Sequence, residues 1–319
     1  MSAIQKCLNR YLLFPNICGS FVFNFHGQLQ HFRVVRIILC LGVFVYFSMD
    51  EMVSLNIDFR YFILVTQNLL VCFAVGVLLR ASWLVKDFRT SLELMESVSD
   101  FVDGTKIKLI IWPSIFSNLV IISAVSYKAY KFSVEPLQFF SHLQILLLLN
   151  AFTDEFSIIL LLLRFLSEAL NIHLATIINR ENLVAILKAQ NMLCSAVQHI
   201  NNLYSVQILF VMAASFFCSI SFTYLFIHEI FLAHFDSISL IFWVVAFLQL
   251  SVKMILSASS LTNSIQSFDL HLYEILKTRP PSWTQLIKVE DLMFDRTTKL
   301  TAAGCFELSI ENLGSVSIC

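Results

Sequence analysis

Apolar residues in this chain fall in long runs rather than in alternation. Six runs are candidates for crossing a bilayer, at residues 34–49, 61–79, 107–127, 137–165, 206–227 and 238–256. A hydrocarbon core of about 30 Å takes roughly 20 helical residues. The first run is short and ends among Phe44, Tyr46 and Phe47; the third carries Trp112-Pro113 near its start, where proline disrupts a helix least. The fourth is unusually long and contains His142, Asn150 and the pair Asp154-Glu155. Backbone polar groups in lipid must be satisfied inside the segment, so each run predicts a helix. The expectation is an all-α, polytopic membrane helix bundle with six spans.

Between the runs the pattern changes to amphipathic. In residues 166–205, Leu170, Leu174, Ile177 and Ile178 recur at helical spacing among Asn, His and Arg. Such a helix either packs along the inner membrane surface or continues the fourth span into a bundle beyond it, where subunits meet. Pro280-Pro281 interrupts the other long connection, 257–300, before a further predicted helix at 285–300. Residues 1–33 hold two apolar clusters broken by Pro15, Asn16 and Gly19, with no clean cleavage site. They read as a cytoplasmic segment lying amphipathically on the membrane, not as a signal peptide. No internal repeat, low-complexity tract or second soluble domain is evident.

Composition agrees with lipid as the solvent: 58% of the 319 residues are hydrophobic and 13% charged, with mean hydropathy +0.78. A net charge of −1 gives no sign of a nucleic-acid partner. The position of the charges is more informative. Of the 21 Lys and Arg residues, all but Arg60, Lys128 and Lys131 fall on one side of the six-span layout. The positive-inside rule makes that side cytoplasmic, and with it both termini. The expected location is the plasma membrane, multi-pass, in contact with lipid. Among the 8 cysteines, Cys40, Cys72 and Cys218 lie in apolar runs and none lies in an outer loop, so no extracellular disulfide framework is expected.

Polar residues inside the runs are the candidates for function. Asn150, Thr153, Asp154 and Ser157 stand at i, i+3, i+4 and i+7, which places them on one helical stripe. His142 falls near the Thr153 edge of that stripe, and Glu155 points elsewhere. Exposing a charged residue to hydrocarbon costs about 2.5–3.5 kcal/mol on insertion scales. Asp154 is therefore expected to line a ligand cavity, to hold neighbouring helices together, or to sit with Glu155 near the inner interface. Gln67 and Asn68 in the second run are further ligand candidates, followed by Asn118 in the third. Ser215, Ser219, Ser221, Thr223 and Gln249 read as packing glue. Lys253, at the end of the sixth run, is expected to snorkel to the cytoplasmic interface. No nucleophile elbow, phosphate-binding loop, dinucleotide fingerprint or metal-ligand spacing occurs, so neither enzymatic activity nor a metal or other cofactor is expected.

The C-terminal stretch supplies a specific pattern. Thr301-Ala302-x-Gly304-x-Phe306-x-Leu308 offers a bend at Gly304, and Ser309 follows as a helix N-cap with Glu311 in the next turn. This spacing resembles the C-terminal signature of the insect chemoreceptors, with the gustatory receptors the nearest branch. The inner N-terminus and short outer loops agree with that resemblance and are opposite to a G-protein-coupled receptor. The resemblance implies a seven-span, ligand-gated cation channel acting in taste or contact chemoreception. It further implies a pocket for a small-molecule tastant among the outer halves of the spans, and a homo- or hetero-tetramer with related receptors joined through a cytoplasmic helical anchor. The signature would introduce a last, pore-lining helix. On this mapping residues 1–33 are the N-terminal segment, 34–256 the six-span bundle, 257–308 the anchor and 309–319 a stub of the last helix. Residues 310–319 span about 15 Å as helix, half a bilayer. A homomer is accordingly expected to conduct poorly. The alternative is a non-conducting scaffold or assembly partner of the same fold, or a member of the odorant-receptor branch.

Overall fold

The computed structural model describes residues 4, 11–12, 35, 37–39, 41–46, 68–76, 85–99, 118–123, 126, 136–176, 180–231, 237–278 and 300–309. The first three apolar runs lie only partly within these residues, and stretches 41–46, 68–76 and 118–123 of them are helical. Gln67, the helix expected at 285–300 (Leu300 excepted) and residues 310–319 lie outside them.

Four helices carry the described fold: α1 (Val85–Ser99, 15 residues), α2 (Pro136–Ala175, 40 residues), α3 (Arg180–Phe231, 52 residues) and α4 (Ser237–Thr278, 42 residues). Pro136 opens α2, a position where its fixed φ and missing N–H cost nothing. Glu181 in the first turn of α3 and Lys277 in the last turn of α4 each complement the helix dipole. At 1.5 Å per residue α3 is about 78 Å long, more than twice a bilayer core.

α2, α3 and α4 thus each join an apolar run to an extension without a break. The stretch 166–205 is the end of α2 and the start of α3, so it continues the fourth span, as one of the two sequence readings expected. The α2 end is closed at Thr176, whose N–H and hydroxyl both donate to the His173 carbonyl, at 3.1 and 2.9 Å.

Cross-helix pairs set the relative directions. Asp154–Lys253, Arg164–Ser260 and Asn171–Ser267 ascend together, so α2 and α4 run parallel. Chain connectivity puts α3 between them in the opposite direction. Asp87–His199 and Gly76–Gln207 place α1 and the helical stretch 68–76 against α3 at successive levels.

Among the described residues three helical segments are long and apolar enough to cross a membrane, within α2, α3 and α4. The most apolar stretch of α2 is 83% buried, against 50% for those of α3 and α4. That difference makes α2 the central helix. Its Phe152, Phe156, Leu160, Leu163, Leu166 and Leu170 are fully enclosed by the neighbours. The outer helices instead leave apolar stripes exposed: Phe216, Ile220, Tyr224 and Ile227 on α3, and Ile241, Val245 and Leu248 on α4. These stripes have helical period and are predominantly apolar, the pattern of a lipid-facing surface.

One element departs from the all-α expectation. Strands β1 (Thr301–Ala302) and β2 (Phe306–Glu307) form an antiparallel hairpin in register Thr301↔Glu307 and Ala302↔Phe306. Its turn needs left-handed backbone at two successive residues, Ala303 (φ 49°) and Gly304 (φ 74°). Glycine adopts that conformation freely, whereas alanine does so at a cost. The bend expected at Gly304 is thus present, as a hairpin.

Phe156 sits against Tyr204 with ring centroids 5.3 Å apart and is fully buried. Phe156→Ala should destabilise the bundle by about 3–5 kcal/mol, lowering its melting temperature in detergent. Leu248→Ala, on the exposed stripe, should change it far less. Equal shifts would mean that α2 is not the central helix.

Candidate functional site: a buried polar layer

The stripe anticipated on α2 exists, and it is closed. Asn150, Thr153, Asp154 and Ser157 are all buried. Asp154 forms an ion pair with Lys253 of α4, and the Lys253 side chain is 19% exposed against 1% for Asp154. The snorkelling expected of Lys253 is therefore corrected. Parallel packing of α4 on α2 brings the ammonium level with the carboxylate, and in a low-dielectric interior each charge lowers the cost of the other.

Glu155 points away from the stripe, as its one-residue offset requires, yet it too is enclosed. The Tyr204 hydroxyl of α3 donates to Glu155 Oε1. Phe152 and Phe156 hold the Tyr204 ring, with centroids 5.6 and 5.3 Å away. Two adjacent carboxylates on the central helix thus reach two different neighbours, Asp154 to α4 and Glu155 to α3.

Around this pair of contacts Asn150, Thr153 and Gln207 each make a local hydrogen bond, whereas the buried Ser157 hydroxyl and Gln207 Oε1 make none among the described residues. Asn150 Nδ2 donates to Asn118 Oδ1 at 2.7 Å, tying α2 to the third apolar run. The Thr153 hydroxyl donates to the Asn150 carbonyl of its own helix at 2.8 Å, a common way to bury a hydroxyl. Gln207 Nε2 donates to the Gly76 carbonyl at 2.9 Å, and a side chain at Gly76 would lie 3.5 Å from Gln207 Cγ.

Tyr204 immediately precedes the apolar run at 206–227, and Lys253 lies three residues from the end of that at 238–256. The layer consequently sits where the apolar runs of α3 and α4 pass into their extensions. Beyond it, polar contacts continue along the extensions. Arg164 Nη1 donates to Ser260 Oγ at 2.6 Å, and Arg164 also pairs with Glu168 at 2.7 Å. Asn171 contacts Ser267 at 3.3 Å and His271 Nδ1 at 2.7 Å. His199 Nδ1 lies 2.8 Å from Asp87 Oδ1 across α1 and α3.

The other candidates are distributed as follows. His142 lies in α2, eight residues before Asn150, with its side chain outside the described residues. Asn68 is exposed at the start of its helical stretch and does not join the layer. Thr301, Gly304 and Leu308 belong to the hairpin, and Phe306 does so by its backbone. Ser309 donates its N–H to the Glu307 carbonyl at 3.0 Å; the helix it was expected to cap lies outside the described residues. Ser215, Ser219 and Ser221 are buried, in keeping with packing, whereas Thr223 is exposed and does not share that role. Sequence reasoning missed Tyr204 and Gln207 as members of the layer. The available signal was the carboxylate pair itself, which required donors from other helices. No group able to hold a metal ion occurs among the described residues.

A helical bundle with a central buried α2, long extensions and a small C-terminal hairpin is not without precedent. The chain aligns with the insect olfactory receptor OR5 from Machilis hrabei at a TM-score of 0.68, over 98% of this chain and 95% of that one, with 10% sequence identity. This chain has an insect olfactory receptor fold. Eleven solved chains match it, whereas no family model and no curated protein matches its sequence. The two chains thus share a fold at very low sequence identity, as expected when helix packing constrains residue type more than identity.

Breaking the buried pair tests the layer. Asp154→Asn or Lys253→Met alone leaves one enclosed group without its counter-charge and should cost about 3–5 kcal/mol. The double substitution Asp154→Leu/Lys253→Met should cost much less than the two single costs combined. Melting temperatures in detergent measure this, and simple additivity would exclude a coupled pair.

Proposed function

We propose that this chain is a subunit of a chemosensory, ligand-gated cation channel in the plasma membrane, of the insect gustatory type. The carrying observation is the receptor fold over 98% of the chain. The Thr301–Gly304–Phe306–Leu308 signature favours the gustatory branch over the odorant one. Its action is ligand binding and gating rather than catalysis, on a small-molecule tastant, within a homo- or hetero-tetramer of related receptors. The Lys and Arg distribution supports a cytoplasmic N-terminus and puts the helix extensions and the hairpin on the cytoplasmic side. There the extensions serve as the anchor between subunits. Lipid meets the exposed stripes of α3 and α4.

Within this reading Asn150, Thr153 and Asp154 influence ligand response by closing the bundle around α2. His142, eight residues before Asn150 in α2, is the candidate whose sequence position lies nearer the outer side on this topology. Gln67 and Asn68 complete that set.

Whole-cell recording tests the proposal, with the chain expressed alone and together with a related receptor subunit. Sucrose, caffeine, dissolved carbon dioxide and a long-chain hydrocarbon are applied in turn. A cation current evoked by any of them, and altered by Asp154→Asn, is the expected result. Surface expression with no evoked current in any combination would favour the non-conducting scaffold instead.

A further inference from the structure

The hairpin is too small to hold its own position. Two residues per strand give only a few backbone bonds, and isolated hairpins are marginal even when longer. Leu308 N–H donates to the Leu300 carbonyl at 2.8 Å and Cys305 N–H to the Ala302 carbonyl at 2.9 Å. Leu300 and Ala302 thus turn their backbone groups toward β2. Thr301, between them, presents its N–H on the opposite edge, where a third strand would pair.

Among the described residues no strand takes that edge; a side chain of α3 does. Asn201 Oδ1 accepts the Thr301 N–H at 2.9 Å, and Asn201 Nδ2 lies 3.4 Å from Thr301 Oγ1 as donor. One amide therefore engages both the backbone and the side chain of Thr301. Leu300, Ala302 and Leu308 are buried beneath this contact, so the hairpin is both seated and latched.

Three residues further along α3, on the same face of the helix, stands Tyr204. Its hydroxyl is bound to Glu155 of α2, and its ring is held by Phe152 and Phe156. A single turn of α3 thus carries the hairpin's latch at one end and the carboxylate layer's contact at the other.

We propose that Asn201 is a positioning residue that latches the C-terminal hairpin to α3, and that Tyr204 ties the hairpin's seat to the buried carboxylate layer of α2. A shift of α3 against α2 at Glu155 would be delivered to Thr301 one turn away, and from there to whatever chain follows the hairpin. The latch stands independently of the receptor reading, because it concerns the seating of the hairpin and not conduction.

Thiol labelling of the full chain in permeabilised membranes tests both halves. Ala302 is replaced by Cys, a small change at a buried position, in a Cys305→Ser background. Labelling by a maleimide is then resolved by peptide mass spectrometry. Asn201→Ala should speed labelling at position 302 about tenfold, because a backbone N–H loses its acceptor. Asn201→Asp keeps the acceptor and should stay within about twofold of the parent. Tyr204→Phe should speed labelling about threefold through the shared turn. The buried Cys194 and Cys218 report on α3 itself and should remain protected in every variant. The latch is overturned if Asn201→Ala leaves the rate unchanged, if Asn201→Asp matches Asn201→Ala, or if Cys194 and Cys218 open together with position 302. An unchanged rate in Tyr204→Phe overturns the tie to the carboxylate layer. Current recordings can fail while these rates behave as expected, so the two proposals fail separately.

Discussion

Asp154 and Glu155 are adjacent charges on a helix otherwise built for an apolar interior, and the rest of the bundle is arranged to satisfy them. Neighbouring residues on a helix point about 100° apart, so no single partner helix can serve both. The central helix must therefore be flanked on two sides, with Lys253 of α4 facing Asp154 and Tyr204 of α3 facing Glu155. That requirement fixes the rotation of α2 about its axis and its register against both neighbours. Apolar packing alone would tolerate sliding by a turn, because one leucine ridge resembles the next. Two charged contacts do not.

The same register is carried outward by the continuity of the helices. Arg164, Asn171 and His271 make polar contacts along the α2–α4 seam well beyond the layer. α2, α3 and α4 pass from apolar run to extension without a break, so one continuous helix in each case joins the level of the layer to its extension.

The hairpin shows how a small element acquires a definite place. Its internal bonds fix its shape, with Gly304 supplying the left-handed turn. Its position comes from elsewhere, from an apolar seat under Leu300, Ala302 and Leu308 and from Asn201 on α3. The motif Thr301-x-x-Gly304-x-Phe306-x-Leu308 makes physical sense in these terms. Thr301 offers an edge N–H, Gly304 turns the chain, and Leu308 closes the seat.

Several features of this protein were written in the sequence. Its apolar runs dictate helices because lipid cannot satisfy a backbone, and the amphipathic spacing of Leu170 and Leu174 predicts further helix after the fourth run, whether lying on the membrane surface or continuing the span. The stripe Asn150, Thr153, Asp154 follows from a period of 3.6 residues and needs no fold to be seen. Its partners could not be read the same way. Lys253 looked like a residue bound for the interface, and turned inward only because α4 lies parallel to α2 at the right level. Tyr204 and Asn201 belong to an amphipathic stretch with nothing local to mark them, and they acquire roles from elements 49 and 100 residues away in the chain. Periodicity is a local property, so one sequence determines which residues share a face. Which face meets which depends on helix direction and register, and only tertiary packing decides those.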